Sequence, residues 1–475
     1  MRDLIVSLII IGLFPVCFRR PYVGLVVFSW LAYMRIQDLT WGFARGFRWS
    51  FYVAIITTVG WLRQPERGRF MVSDARTYMM VAIIVLVGLG VANSNQPNGD
   101  ALSYQIKRYV EFVKIVGIAL FTTGLVVNRE QLRLLIWIVA LSLGFYGVKN
   151  GIWGITTFGQ VPITRGPGGL MFDNNDFSLA LAMGVPMLWC IGQSDKRPIL
   201  RRAFLFAVPM TAFTVLLTHS RGGMLSMSAA IGVLVWRSRH RSMAIALGIL
   251  SLPLVIAVMP EDMRDRFASI ANYQEDGSAN ARFRTWGIAY KMAVSNPVLG
   301  VGLYKFRQEY LNYVEDPTQA EREGKTFVAH NSYLQIWAEC GSLVFGLYLT
   351  MIAISIVSIW RVRALARRRF HESWIINYAN MFEASFAAFC VGATFLNRAH
   401  FDLFYHWVAI ALVFARIATK ELEEGVEVQV KDEGFGQRLK AIQGRGFDPL
   451  VPATPGVRSA QRTFRNTPTP AAREY

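Results

Sequence analysis

At 475 residues the chain is long enough for about three soluble domains. Its composition excludes them: 53% hydrophobic and 17% charged residues, with a mean hydropathy of +0.32, leave too little charge to cover a water-exposed surface. The 50 Lys and Arg against 32 Asp and Glu give a formal charge of +18. In a soluble protein that surplus would suggest nucleic acid. Neither an RNA-binding signature nor zinc-ligand spacing accompanies it, so no nucleic-acid partner is expected. The surplus is assigned to loops beside an anionic cytoplasmic leaflet.

The first apolar run, 3–18, is followed by Arg19-Arg20-Pro21 and then at once by a second, 21–36. It has no small-residue cleavage site and reads as a retained helix, not a signal peptide. Further runs follow at 49–63, 77–92, 107–127, 132–149, 177–192, 202–218, 222–236, 242–259, 332–360, 377–396 and 401–418. Runs of this length and number predict an all-α, polytopic integral membrane protein of twelve or thirteen transmembrane helices lying in the lipid bilayer. The first two are short and are expected as a hairpin that does not fully cross. Cys17, Cys190, Cys340 and Cys390 each lie in or beside an apolar run and form no CxxC, so they read as small core residues.

Charge orients the runs. The stretches 193–202, 237–241 and 361–369 carry +3, +3 and +5, so 11 of the 18 surplus charges sit in three short loops. The positive-inside rule places these in the cytoplasm. Alternation then puts 93–106, 150–176, 219–221, 260–330 and 397–400 on the outer face. The long segment 260–330 has nine basic and ten acidic residues, a balance that suits an exported loop. Thirteen spans would leave the N-terminus outside and twelve would leave it inside. The expected organisation is an N-terminal bundle of about ten helices (1–259), a periplasmic loop with an amphipathic helix (260–330), C-terminal helices (331–419) and a Pro/Thr/Arg-rich disordered cytoplasmic tail (420–475).

Polar residues inside or against spans are costly and become functional candidates. Thr218-His219-Ser220-Arg221-Gly222-Gly223 joins two runs with almost no loop, which sets Arg221 at the mouth of the bundle. A snorkelling arginine on a glycine turn explains the same residues equally well. Asn280 opens a helical stretch to about Val294, with Phe283, Trp286, Ala289, Tyr290 and Ala293 on one side. Arg282 and Arg284 stand two apart, so at most one can face a site directly. His330 stands where the chain re-enters the membrane, ahead of Asn331, Tyr333, Gln335 and Glu339. A capping or packing histidine is the plainer alternative. Asn397-Arg398-Ala399-His400-Phe401-Asp402 is another polar turn on that face. So is Asp173-Asn174-Asn175-Asp176, after Arg165-Gly166-Pro167-Gly168-Gly169; its aspartates read as helix caps more readily than as metal ligands.

Taken together, Arg221, Arg282, His330 and Arg398 can converge on one outward cavity. Fixed arginines with forked hydrogen bonds suit a pyrophosphate, and a neutral histidine suits proton acceptance. No metal and no cofactor is required, because arginine can take up the developing charge of the leaving group. A transporter with a basic anion site would use the same residues.

The chain resembles the O-antigen ligase and polymerase superfamily of bacterial membrane glycosyltransferases. The resemblance rests on Ser220-Arg221-Gly222 after an apolar helix, Arg282 four residues before Trp286, the run Asn296-Pro297-Val298-Leu299-Gly300-Val301-Gly302, and Ala329-His330-Asn331-Ser332-Tyr333-Leu334-Gln335 with Glu339 and Gly341. Met1-Arg2-Asp3-Leu4, Arg19-Arg20-Pro21, Leu39-Thr40-Trp41-Gly42 and the 169–176 segment are similar to the exosortase A-associated O-glycosylation ligases. The resemblance implies a periplasmic active site in the inner membrane. There a glycan would pass from undecaprenyl pyrophosphate to an acceptor hydroxyl on a protein or another glycan. It implies catalytic roles for Arg221, Arg282 and His330. Around these, Arg284, Arg398, His219, Asn331 and Tyr333 are expected to contact substrate.

Overall fold

The computed structural model describes residues 1–65, 68–93, 99–169, 171–258, 277–314, 327–369 and 374–423. Each of the thirteen apolar runs lies on a helix. These are α1 (Arg2–Arg19), α2 (Pro21–Tyr33), α3 (Trp49–Leu62), α4 (Ala75–Ala92), α5 (Gly99–Leu125), α6 (Arg129–Thr156), α7 (Asn174–Ser194), α8 (Pro198–Leu217), α9 (Arg221–Arg237) and α10 (Arg241–Val258), then α12 (Ser332–Arg369), α13 (Trp374–Phe395) and α14 (Asp402–Glu423). Between them comes α11 (Gly277–Ser295), the helix expected ahead of the re-entry point. The helix is the apolar segment's way to bond every backbone N–H and C=O within itself where no water is available. Among the described residues α4, α6, α7, α8, α12 and α14 are each long and apolar enough to cross a bilayer. The described residues are almost entirely helical, and the chain is a polytopic membrane protein. α2 has 13 residues, a rise of only about 20 Å against the roughly 30 Å hydrocarbon core.

Helix starts follow local chemistry. Pro21 and Pro198 occupy first-turn positions, where no N–H partner is lost. Asp74, Asn128, Asp173 and Ser220 accept backbone N–H groups as N-caps. α7 and α14 form the axis of the bundle: 83% of the apolar window of each is buried, against 28% for α8. α7 packs on α6, α8, α9 and α13, while α14 packs on α5 and α12. Small residues bring α7, α9 and α13 close: a Cβ on Gly223 would meet Ser178 Oγ, and one on Gly392 would meet Ser226 Oγ. The four cysteines are unbridged, three of them buried and Cys390 half-buried.

The helices alternate in direction, so the chain's start and the turns around 173, 220, 330 and 398 share one end of the bundle. There Asp3 Oδ1 accepts N–H groups of Gly42 and Ala44 at 3.0 and 3.1 Å. The basic loops lie at the other end. At that end Glu383 of α13 is held by Arg237 of α9 (2.6 and 2.8 Å), by Arg363 of α12 and by the indole N–H of Trp360 at 2.8 Å. With thirteen alternating runs, the first residue stands on the same end as the candidate site.

Several details depart from expectation. Residues 165–168 and 171–173 pair as a small antiparallel hairpin, β1 and β2, with Arg165 opposite Asp173. On α11 the buried face is Thr285, Ile288, Ala289, Met292 and Ala293. Phe283 and Tyr290, expected on one side with Ala289 and Ala293 against the membrane or the bundle, are 53% and 55% exposed; small and flexible side chains fit the tight contact, and the aromatic rings border it. α14 continues to Glu423, past the expected end at 418. The tail expected to be disordered, from 424 on, and the loop residues 259–276 and 315–326 lie outside the described residues.

Candidate functional site

Four turns meet at one end of the bundle. The turn entering α7 carries Asp173, whose side chain caps the helix by accepting the N–H of Asn175 at 2.9 Å. The turn entering α9 docks on it. Asn174 Nδ2 donates to the Thr218 carbonyl at 2.8 Å, and the Ser220 hydroxyl donates to Asn175 Oδ1 at 2.7 Å while accepting Gly223 N–H at 3.1 Å. Arg221, half-buried, is the first residue of α9 beyond this joint. The turn between α13 and α14 meets both neighbours. The Arg398 guanidinium grips both oxygens of buried Asp176, and the Arg398 N–H donates to Ser332 Oγ at 2.8 Å. The Ser332 hydroxyl in turn donates to the Leu396 carbonyl at 2.8 Å.

The fourth turn carries His330. α11 reaches it through Trp286, whose indole N–H donates to the carbonyl of Ala329 at 3.0 Å. Arg282 lies four residues earlier and therefore on the same helical face. Burial, the Arg282 charge and, opposing them, the Asp173 carboxylate act on the His330 imidazole. Their net effect holds it below its usual value, so the ring is neutral at pH 7 and able to accept a proton. His330 adopts a left-handed backbone, φ 46°, as do His219 at 54° and Arg35 at 46°. Non-glycine residues in that region are strained and cluster where a fold over-determines them.

The glycine-rich run 296–302 has a structural purpose. α12 breaks at Gly341, φ 84°. Carbonyls of Ala338 and Glu339, left without helical partners, accept the N–H groups of Val301 and Gly302 at 2.8 and 3.0 Å. In return the Pro297 carbonyl accepts Ser342 N–H at 2.8 Å. Gly300 has φ 69°, and a Cβ there would collide with the backbone of Glu339 and Cys340. The segment leaving α11 is thus threaded into the break of the helix that begins beside His330.

The residues expected from sequence fall into three groups. Arg282 and Asp173 both act electrostatically on His330, and the Arg221 turn is bonded to the helix that Asp173 caps. Arg398 is present but already engaged by Asp176, a carboxylate that reads from sequence as a cap. Asn331 is itself the cap of α12, accepting the N–H groups of Tyr333 and Leu334 at 3.0 Å each. The Tyr333 hydroxyl donates to the Cys390 carbonyl at 3.0 Å. Arg284 is exposed on α11, away from the Arg282 face, and His219 is half-buried. Sequence reasoning misses Asp176, although a carboxylate opening an apolar span is a signal that a cation lies opposite. A cleft of about 600 Å³ bordered by Arg19, Arg20, Gln64 and Glu130 lies at the other end and includes none of these turns.

Comparison with known families gives two matches. Residues 205–349 match the family described as O-antigen ligase. Residues 1–176 match a family of unknown function (DUF5935). No curated protein matches the chain. Arg221, Arg282, His330 and Glu339 fall in the first match, Asp173 and Asp176 in the second, and Arg398 in neither.

Proposed function

From the premise that residues 205–349 make this chain a member of the O-antigen ligase superfamily, we propose that it transfers a glycan from undecaprenyl pyrophosphate to an acceptor hydroxyl. The acceptor we assign is a protein Ser or Thr, and the reaction face is the periplasmic side of the bacterial inner membrane. His330 takes the proton of the acceptor hydroxyl. The oxygen attacks the anomeric carbon, the bond from that carbon to the pyrophosphate oxygen breaks, and undecaprenyl pyrophosphate leaves. Arg221 and Arg282 hold the pyrophosphate and take up the charge that develops on it. What supports this reading is that Trp286, on the Arg282 face of α11, is tied at 3.0 Å to the carbonyl that precedes His330, and that burial and the Arg282 charge hold the imidazole below its usual value.

The test is direct. The purified protein is given a lipid-pyrophosphate glycan and candidate acceptors, and free undecaprenyl pyrophosphate is measured together with acceptor mass. A protein acceptor that gains the glycan mass supports the proposal. Gain on a second lipid-linked glycan would make the protein a polymerase, and translocation without release would make it a transporter. Turnover is expected to survive EDTA, since the arginines supply the positive charge. Loss of turnover restored by magnesium or manganese would overturn that expectation.

A further inference from the structure

We infer that Glu339 is a positioning residue for this transfer, setting the Arg398 turn and the segment leaving α11 against the helix that begins beside His330; the inference rests on the glycosyltransferase reading. Glu339 is 2% exposed, and each of its carboxylate oxygens has a separate task. Oε1 accepts the N–H of Phe306 at 3.3 Å, so it fixes the far end of the run that fills the α12 break. Oε2 accepts from Gln335 Nε2 at 3.3 Å, one turn back. That donation orients the Gln335 amide with its oxygen outward, where it accepts the N–H of Ala399 at 3.4 Å. One further turn back, Ser332 holds Arg398 N–H and the Leu396 carbonyl. Two successive turns of one helix thereby grip the 396–400 turn, and Glu339 on the third acts on it through Gln335.

The buried His400 ring completes the joint. It lies 5.2 Å from the ring of Phe112 on α5 and 5.2 Å from that of Tyr304 in the returning run, with Nε2 3.6 Å from Glu339 Oε2. Gln105 of α5 secures the same run by donating to the Leu303 carbonyl at 3.1 Å. The elements carrying His330, Arg398 and Arg282 are thus joined through one carboxylate.

The ladder has a polarity, and the polarity can be tested. A carboxylate accepts at both ends, whereas an amide accepts at one end and donates at the other. Glu339→Gln must therefore abandon Phe306 N–H or turn a donor against Gln335, which would flip and release Ala399. Exchanging the pair, Gln335→Glu with Glu339→Gln, restores the three hydrogen bonds among positions 306, 335, 339 and 399. The carboxylate then at position 335 accepts Ala399 N–H and the amide N–H from position 339, and the oxygen of that amide accepts Phe306 N–H.

The experiment uses the full chain in lipid nanodiscs, with two readouts. One is kcat and donor KM for release of undecaprenyl pyrophosphate. The other is hydrogen exchange of the 299–306 and 396–402 segments. Glu339→Gln should lower kcat by roughly tenfold or more, since small misplacements of reacting groups are costly. Donor KM should stay within about threefold, because Arg221 and Arg282 are both retained in the variant. Exchange should quicken in those two segments alone, and the exchanged pair should recover both kcat and protection. If Glu339→Gln does not insert, Gln335→Leu, which breaks only the Ala399 link, should quicken exchange in 396–402 alone. Parental kcat and protection in Glu339→Gln, or no recovery in the exchanged pair, overturns the inference. If the parent releases no undecaprenyl pyrophosphate, the transferase reading fails by itself, and the exchange comparison still decides whether Glu339 sets the ladder.

Discussion

His330 is surrounded by opposing charges, so its titration reports on its neighbours. Burial and the Arg282 cation disfavour the imidazolium, and the Asp173 carboxylate favours it. Transfer that needs the neutral ring should rise with pH through a midpoint below the ordinary histidine value of about 6.5 and level off above it. Arg282→Ala removes the cation and should move that acid limb to higher pH. Asp173→Asn should move it lower. A limb that stays fixed in both variants would remove His330 from the proton step. The arginines predict a second pattern. Arg221→Lys keeps the charge but loses the planar fork, so it should rescue poorly, and Arg221→Ala should lose about 2–4 kcal/mol, on the order of a hundredfold in rate. His330→Ala should impair transfer while leaving donor binding near parental, since a base acts on the acceptor. Arg284→Ala should be milder than Arg282→Ala, given its exposed position off the Trp286 face. Parental rates in both Arg221→Ala and His330→Ala would leave a snorkelling arginine and a packing histidine in place of a site.

The interrupted α12 and its inserted run are the clearest case of an element whose sequence encodes a contact and not only a shape. Gly300 combines a left-handed backbone with no room for a methyl group. Gly300→Ala should destabilise the protein by at least about 1–2 kcal/mol from backbone conformation alone. The check is its thermal unfolding midpoint in detergent against the parent, and an unchanged midpoint would mean the run is not seated in the break. Spans are legible in the sequence because lipid imposes one rule on every apolar segment, and thirteen runs obey it. The break at Gly341 leaves no mark in hydropathy, since the apolar run passes through it unchanged. The 165–173 hairpin reads as loop because three or four residues carry no alternation to detect. The pairing of Arg398 with Asp176 escapes sequence reasoning for a different reason. The partners are 222 residues apart, and nothing local to either announces the other. The tie from Trp286 to Ala329, in contrast, is half visible: the spacing to Arg282 marks the face, though not the carbonyl it meets.

At the scale of the whole molecule, alternation of thirteen helices sets the first residue and the candidate site on one end and the basic loops on the other. Single cysteines introduced on a background lacking the native four should therefore react with an impermeant reagent from outside when placed at 3 or 284, and not when placed at 197 or 239. Labelling of position 239 in intact cells would invert this orientation and overturn the proposed periplasmic reaction face. The same arrangement bears on how such a protein can be inherited. Ser220 and Arg282 belong to one matched stretch and Asn175 and Asp173 to the other, while Arg398 comes from beyond both. Yet Ser220 bonds Asn175, Arg282 and Asp173 act on the same imidazole, and Arg398 grips Asp176. A chimera that exchanged only residues 205–349 between diverged relatives would separate Ser220 from Asn175 and Arg282 from Asp173 at once. Recombination at those bounds therefore cuts through the contacts that assemble the candidate site.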